Sequence, residues 1–154
     1  MTDRLIVDYE GRIARPPQEV GAQFGDMRHH ASHAVHKGIV FTVHADDGTT
    51  CTFRQAVRLL GMMQVDEVVL TRNADGSLTS DVVSGTNVGT RFTQRFADDG
   101  KGGTIVHFRA DLPVSGIKKL LKPLFRRAVY GTIDKAFRED VVDLEQKGYP
   151  RKPI

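Results

Sequence analysis

Between Ile39 and Leu112 the chain runs through six extended segments joined by short turns, several rich in Asp, Asn and Gly. IVFTVHA is followed by a DDGT turn at 46–49 and TCTFRQAVRLL; MMQVDEVVLTR is followed by NADGS at 73–77 and SLTSDVVSG; VGTRFTQRF turns through DDGKGG at 98–103 into TIVHFRADL. Connections this short require antiparallel neighbours, because a parallel crossover takes about a dozen residues or more. An antiparallel meander is the consequence. It constrains the fold more than any other feature of the chain.

What flanks the meander completes the pattern. Residues 3–13 place Leu5, Val7, Tyr9 and Ile13 at period two, a strand with one buried face. Pro16-Pro17 stops it, and PPQEVGAQFGDM follows as a short helix with proline in its first turn. RHHASHAVHKG, at 28–38, is helical or irregular. From about Ser115 to Lys147 the chain is helical, interrupted near Pro123 and ended by Gly148-Tyr149-Pro150. At roughly 100° per residue, Phe125, Val129, Ile133, Ala136, Phe137 and Leu144 form one apolar side to lay against the sheet.

At 154 residues, 40% apolar and 27% charged, the chain is expected to form one globular domain spanning 1–154. No apolar stretch approaches the roughly 20 residues of a membrane-spanning helix. The opening MTDRLIVDYE turns acidic where a signal peptide stays apolar, and a single cysteine, Cys51, excludes a disulfide framework or an iron–sulfur motif. The expected compartment is the reducing cytoplasm. Net charge is +3, and its clustered part, Lys118, Lys119, Lys122, Arg126 and Arg127, has no interleaved aromatics. That is the solvated face of a helix, not a nucleic-acid surface.

This order of elements resembles the START-like, helix-grip superfamily, also called SRPBCC, over essentially the whole chain. The resemblance implies an α+β fold in which a curved antiparallel sheet of about six or seven strands wraps a long C-terminal helix, with one or two short helices after the first strand. It also implies a cavity for a hydrophobic small molecule such as a lipid, steroid, polyketide or aromatic compound. Gln55, Gln94 and His107, at alternating sheet positions, are candidate polar linings.

Two features suggest chemistry. His29, His30, His33 and His36 fall within eight positions, and on a helix His29/His33 or His33/His36 would converge on one metal. Asp140 stands among apolar positions of the terminal helix, near Ala136, Phe137 and Leu144, whereas Glu139, Asp143 and Glu145 are expected to point away. A carboxylate facing a core costs several kcal/mol unless paired or bound to a cation.

Together these features resemble the catalytic domain of Rieske non-haem iron oxygenases. Its iron is held by two histidines on an Asp-x-x-His-x-x-x-x-His segment and by an aspartate on the terminal helix. Asp26-Met27-Arg28-His29 is similar to the start of that segment, and FREDVVDLEQKGYPRKP (137–153) to the end of steroid-type members. The resemblance implies His29 and Asp140 as ligands to Fe(II) or another divalent metal such as Zn, with Asp26 as an orienting or proton-coupled acid. Ala34 stands where the second histidine belongs, so His36 or His33 would supply it. The chain has no cluster ligands, so an oxygenase reaction would take electrons from a redox partner.

Three functions follow. The first is a metal-dependent enzyme acting on an apolar or aromatic substrate. The second is a metal-free polyketide cyclase or dehydratase, using His107, His44 or the 29–36 cluster for proton exchange. The third is a carrier without chemistry. Cys51 is read as core filler, DGKGG as a hairpin turn, and Met62-Met63 as core.

Overall fold

A computed structural model describes residues 3–152; the outermost residues of the expected 1–154 domain, including Pro153 of the Rieske-like stretch, lie outside it. Period-two alternation produces β1 (Asp3–Ile13), whose Leu5, Val7 and Ile13 are fully buried. Two helices follow, α1 (Pro17–Gly25) and α2 (Met27–Ser32). The meander is β2 (Ile39–Asp46), β3 (Thr50–Leu59), β4 (Met62–Arg72), β5 (Leu78–Gly85), β6 (Arg91–Asp98) and β7 (Thr104–Val114). The chain closes with α3 (Ile117–Leu120), α4 (Lys122–Val142) and a π-helical turn, Asp143–Lys147. The interruption expected near Pro123 falls at Leu121, between α3 and α4, and Pro123 sits in the first turn of α4, where its missing N–H costs nothing.

The seven strands form one sheet in the order β1-β7-β6-β5-β4-β3-β2, with every pair antiparallel. The first strand lies beside the last, so the meander returns to its own start. Irregularities at Val43/Ala45 in β2 and Glu67/Val68 in β4 bend the sheet locally. Gly85, at φ 112, is required where β5 meets β4: a Cβ there would lie 2.8 Å from the Asp66 Cα. The concave face grips α4, the helix-grip arrangement.

Two apolar clusters hold this grip. Phe125 and Val129 of α4 pack on Leu5, Val7, Ala110 and Leu112. Further along, Phe137 and Leu144 join Val20, Phe24, Phe53, Leu70 and Val106, so that α1, the sheet and the helix share one core. Each such side chain contributes about 1.5–3 kcal/mol by burial. Phe137 comes so close to β1 that a Cβ on Gly11 would collide with its ring.

Not every apolar residue is inside. Met62 and Met63, expected in the core, are exposed at the β3–β4 hairpin, and Val88 lies in the β5–β6 turn before β6 begins. No helix among the described residues is long and apolar enough to cross a membrane.

Candidate functional site

Between the two clusters the sheet and α4 stand apart, enclosing a cavity of about 210 Å³. Its walls are mainly apolar, with Tyr9, Phe41, Phe53, Phe92, Phe108 and Phe137 among them. Gln55 and Gln94 do line it, as their alternation predicts, together with Gln64, Asn87, Ser80 and Thr132. At one end stand His30, His36 and Asp140.

This end is built by a short helix with a well-defined cap. The Asp26 carboxylate accepts from the His29 backbone N–H at 3.0 Å, starting α2, and from the Tyr149 hydroxyl at 2.7 Å, tying α2 to the C-terminal segment. Burial, and then the Asp26 charge, push the Tyr149 hydroxyl well above its ordinary pKa, so it remains a donor. His29 and His30 are adjacent in sequence and therefore diverge by about 100° on the helix. His30 faces the chamber; His29 faces the π-helical turn.

The His30 Nδ1–H donates to the Asp26 carbonyl at 2.9 Å, and its Nε2 lies 3.0 Å from Asp140 Oδ1. His36 Nδ1 lies 3.3 Å from Glu139 Oε1, with Nε2 3.6 Å from the same Asp140 oxygen. Glu139 is in turn fixed by the Lys37 backbone N–H at 3.0 Å. The Asp26 carbonyl can only accept, so His30 carries hydrogen on Nδ1, while His36 meets a carboxylate oxygen with each ring nitrogen. The Nε2 atoms of both rings face the same Asp140 oxygen. A proton or a cation must stand between them. Burial disfavours the charged form of His30, but the hydrogen bond and charge of Asp140 outweigh it and raise its pKa above 6.5. One atom from each of His30, His36 and Asp140 lies within 4.8 Å of the others, a spacing compatible with one metal ion.

Behind this trio is a second buried layer. Gln23, fully buried in α1, donates through Nε2 to Asp140 Oδ1 at 3.1 Å and to Asp143 Oδ2 at 3.0 Å. Its Oε1 has no partner among the described residues. Asp143 also accepts from His29 Nε2 and from Arg151 Nη2, both at 2.7 Å. Burial alone would raise the Asp143 carboxyl; the hydrogen bonds from Gln23, His29 and Arg151 prevail and hold it at about 2. Burial keeps the His29 pKa below 6.5 despite that neighbour.

Several expectations are thereby corrected. His29 pairs with Asp143 rather than Asp140, and His30 takes the place the Asp-x-x-His alignment assigned to it. His33 stacks on His29 with ring centroids 4.7 Å apart, outside the trio, and its Nε2 has no partner among the described residues. Asp26 does not line the chamber; it acts through its carbonyl on His30 and through its carboxylate on the α2 backbone and Tyr149. His107 is half-exposed on the outer face of β7, its Nδ1 3.5 Å from Glu10, because alternation turns Val106 and Phe108 inward instead. His44 is likewise outside, donating to Glu67. The acids expected to be solvated are all engaged: Asp143 is buried, Glu139 holds His36, and Glu145 accepts the Ala14 N–H at 2.9 Å. Cys51 is fully buried, as core filler should be, and burial pushes its thiol up to about 11. Gln23 and Arg151 carried no signal in the sequence, since nothing local marks a buried amide or a terminal arginine as an acid's partner.

A family profile described as "Polyketide cyclase / dehydrase and lipid transport" matches residues 4–144. No curated protein matches by sequence. Similar solved structures include a Thermus thermophilus protein, 17% identical with TM-score 0.78, covering 89% of this chain and 94% of that one. A START superfamily protein from Mycobacterium smegmatis is 14% identical, TM-score 0.75, covering 92% and 98%. An aromatase/cyclase from a Streptomyces species is 12% identical, TM-score 0.74, covering 95% and 99%. At these identities the likeness is one of fold.

Proposed function

The chain belongs to the polyketide cyclase / dehydrase and lipid transport family, within the START-like helix-grip superfamily, and we propose that it is a cyclase- or dehydratase-type enzyme whose reacting centre is a divalent metal held by His30, His36 and Asp140. The substrate is a hydrophobic or aromatic small molecule, received by the apolar walls and oriented by Gln55, Gln94 and Gln64. The observation that carries the reading is the convergence of two imidazole Nε2 atoms on one carboxylate oxygen, at 3.0 and 3.6 Å. Ligating histidines characteristically give their other N–H to a carbonyl or carboxylate, as His30 does to Asp26 and as His36 is placed to do to Glu139.

Two nitrogens and one oxygen suit Fe(II), Zn or a similar ion and leave coordination positions open. Bound there, the metal would polarise a substrate carbonyl as a Lewis acid. The protein's own contribution is to hold the three ligands, to exclude water with aromatic walls, and to orient Asp140 through the Gln23 amide. Oxygenase chemistry would add a redox partner, because this chain's one cysteine is buried and unpaired.

A second reading, metal-free proton exchange, is favoured by the raised pKa of His30, which poises an imidazolium beside Asp140 at the chamber wall. Metal content of protein purified without chelator separates the two. Stoichiometric divalent metal, lost in His36→Ala and Asp140→Ala, is expected. Metal-free protein that still converts an aromatic polyketide-like substrate would select proton exchange; co-purified apolar ligand without metal or turnover would select a carrier.

A further inference from the structure

The end of the chamber opposite the histidines has an unusual rim. Asp140 is separated from Phe125 by fifteen residues of α4, about 22 Å at roughly 1.5 Å per residue. Around Phe125 three segments come together. Leu59, at the end of β3, lines the chamber and packs on the Phe125–Val129 cluster, placing the β3–β4 hairpin beside α4. Gln64 and Asn87 also line the chamber and share a 2.7 Å hydrogen bond, joining that hairpin to the β5–β6 turn. Leu112 and Val129, which line the same space, lead into and out of α3.

What this rim presents to solvent is apolar. Ile117 is 71% exposed and Leu120 82%, and Leu121 and Leu124, at the junction into α4, are also exposed. Leu60, Met62 and Met63 are exposed on the hairpin and Val88 on the turn. Contiguous exposed apolar surface marks an interaction site.

The rim is also cationic. Residues 58–65, 84–91 and 112–133 contain no Asp or Glu, while 112–133 alone carries Lys118, Lys119, Lys122, Arg126 and Arg127. The nearest acidic groups are all engaged: Asp66 is buried and accepts from Asn87, Asp111 pairs with Arg4, Asp81 pairs with Arg91, and Asp3 lies 3.8 Å from Lys122.

From this we infer that the rim docks the protein on an anionic phospholipid bilayer, with the chamber's second end at the surface. Basic side chains snorkel to headgroups while leucine, isoleucine and methionine enter the acyl boundary. A second copy would set five cations against five. A protein groove would need to match a helix, a hairpin and a turn at once, whereas a bilayer accepts side chains in any lateral arrangement. Charge complementarity therefore favours the lipid surface.

The test is co-sedimentation of the full chain with vesicles of phosphatidylglycerol and phosphatidylcholine in equal parts, against phosphatidylcholine alone. Selective partitioning onto the anionic vesicles is expected, falling as ionic strength rises from about 0.1 M to about 1 M and the screening length shrinks from about 10 Å to about 3 Å. K118Q/K119Q should weaken it about thirtyfold, the equivalent of about 1 kcal/mol per basic side chain. I117S/L120S should weaken it at least tenfold with melting unchanged, while Val40→Ser, at an exposed valine on β2, should bind like the wild type. Equal binding to both vesicle types, no binding, or undiminished binding by the rim variants overturns the inference. So does a solution dimer abolished by Leu120→Ser, or an acidic protein captured by a rim indifferent to vesicles.

Discussion

Replacing Asp143 with asparagine keeps the shape of the side chain and removes its charge. In the folded protein this carboxyl is held at about 2 against an ordinary 3.8, and its side chain is 3% exposed, so solvent screens it little. The gap corresponds to about 2.5 kcal/mol of stability, at roughly 1.4 kcal/mol per pH unit. Because the folded pKa is lowered, that stability is present above about pH 4 and disappears as pH falls through 4 toward 2. At neutral pH, Asp143→Asn also leaves Arg151 and His29 facing an uncharged partner, so the loss lies between about 2.5 kcal/mol and the roughly 3–5 kcal/mol typical of a broken buried pair. For a chain this size that lowers the melting temperature by about 5–20 °C. Urea unfolding at pH 7 and at pH 2–3 measures both effects: the variant is less stable at pH 7, and the gap to wild type narrows by about 2 kcal/mol on acidification. A variant as stable as wild type at pH 7, or a gap independent of pH, would refute the placement of Asp143 among Gln23, His29 and Arg151.

Gly11→Ala should destabilise by about 1–3 kcal/mol through collision with Phe137, and Phe137→Leu in the same chain should recover part of it in thermal melts. Tyr149→Phe deletes the 2.7 Å hydrogen bond to Asp26 and should cost about 1 kcal/mol by denaturant titration, with faster amide exchange in α2. His107→Ala, on the outer sheet face, should leave stability within about 0.5 kcal/mol and leave metal content and ligand fluorescence unchanged.

The sheet was legible because turn residues and period two are local properties: each hairpin announces itself in a few residues, and antiparallel pairing follows from their shortness. Asp140 was legible for the same reason, as a carboxylate on an apolar helix face. Which histidine meets it was not. His29 and His30 are neighbours of one type, and what decides between them is the rotation of α2, fixed by the Asp26 cap, Tyr149 and packing against α1 and β2. Asp143 was misread because an acid is assigned to water by default. It lies only about 60° around the helix from Asp140, and its partners come from positions no local pattern connects to it. His107 failed by one residue of strand register, which in a pleated sheet is the difference between the two faces.

The contacts at the histidine end join residues 23–37 to residues 139–151, across sequence separations of 110 for His30–Asp140 and 114 for His29–Asp143. Between them the chain must lay down every strand of the meander. A ribosome-bound or clipped chain lacking the last turns of α4 therefore holds imidazoles with nothing to converge on. The pairing of the early imidazoles with their carboxylates forms only once the whole meander and the last turns of α4 are in place.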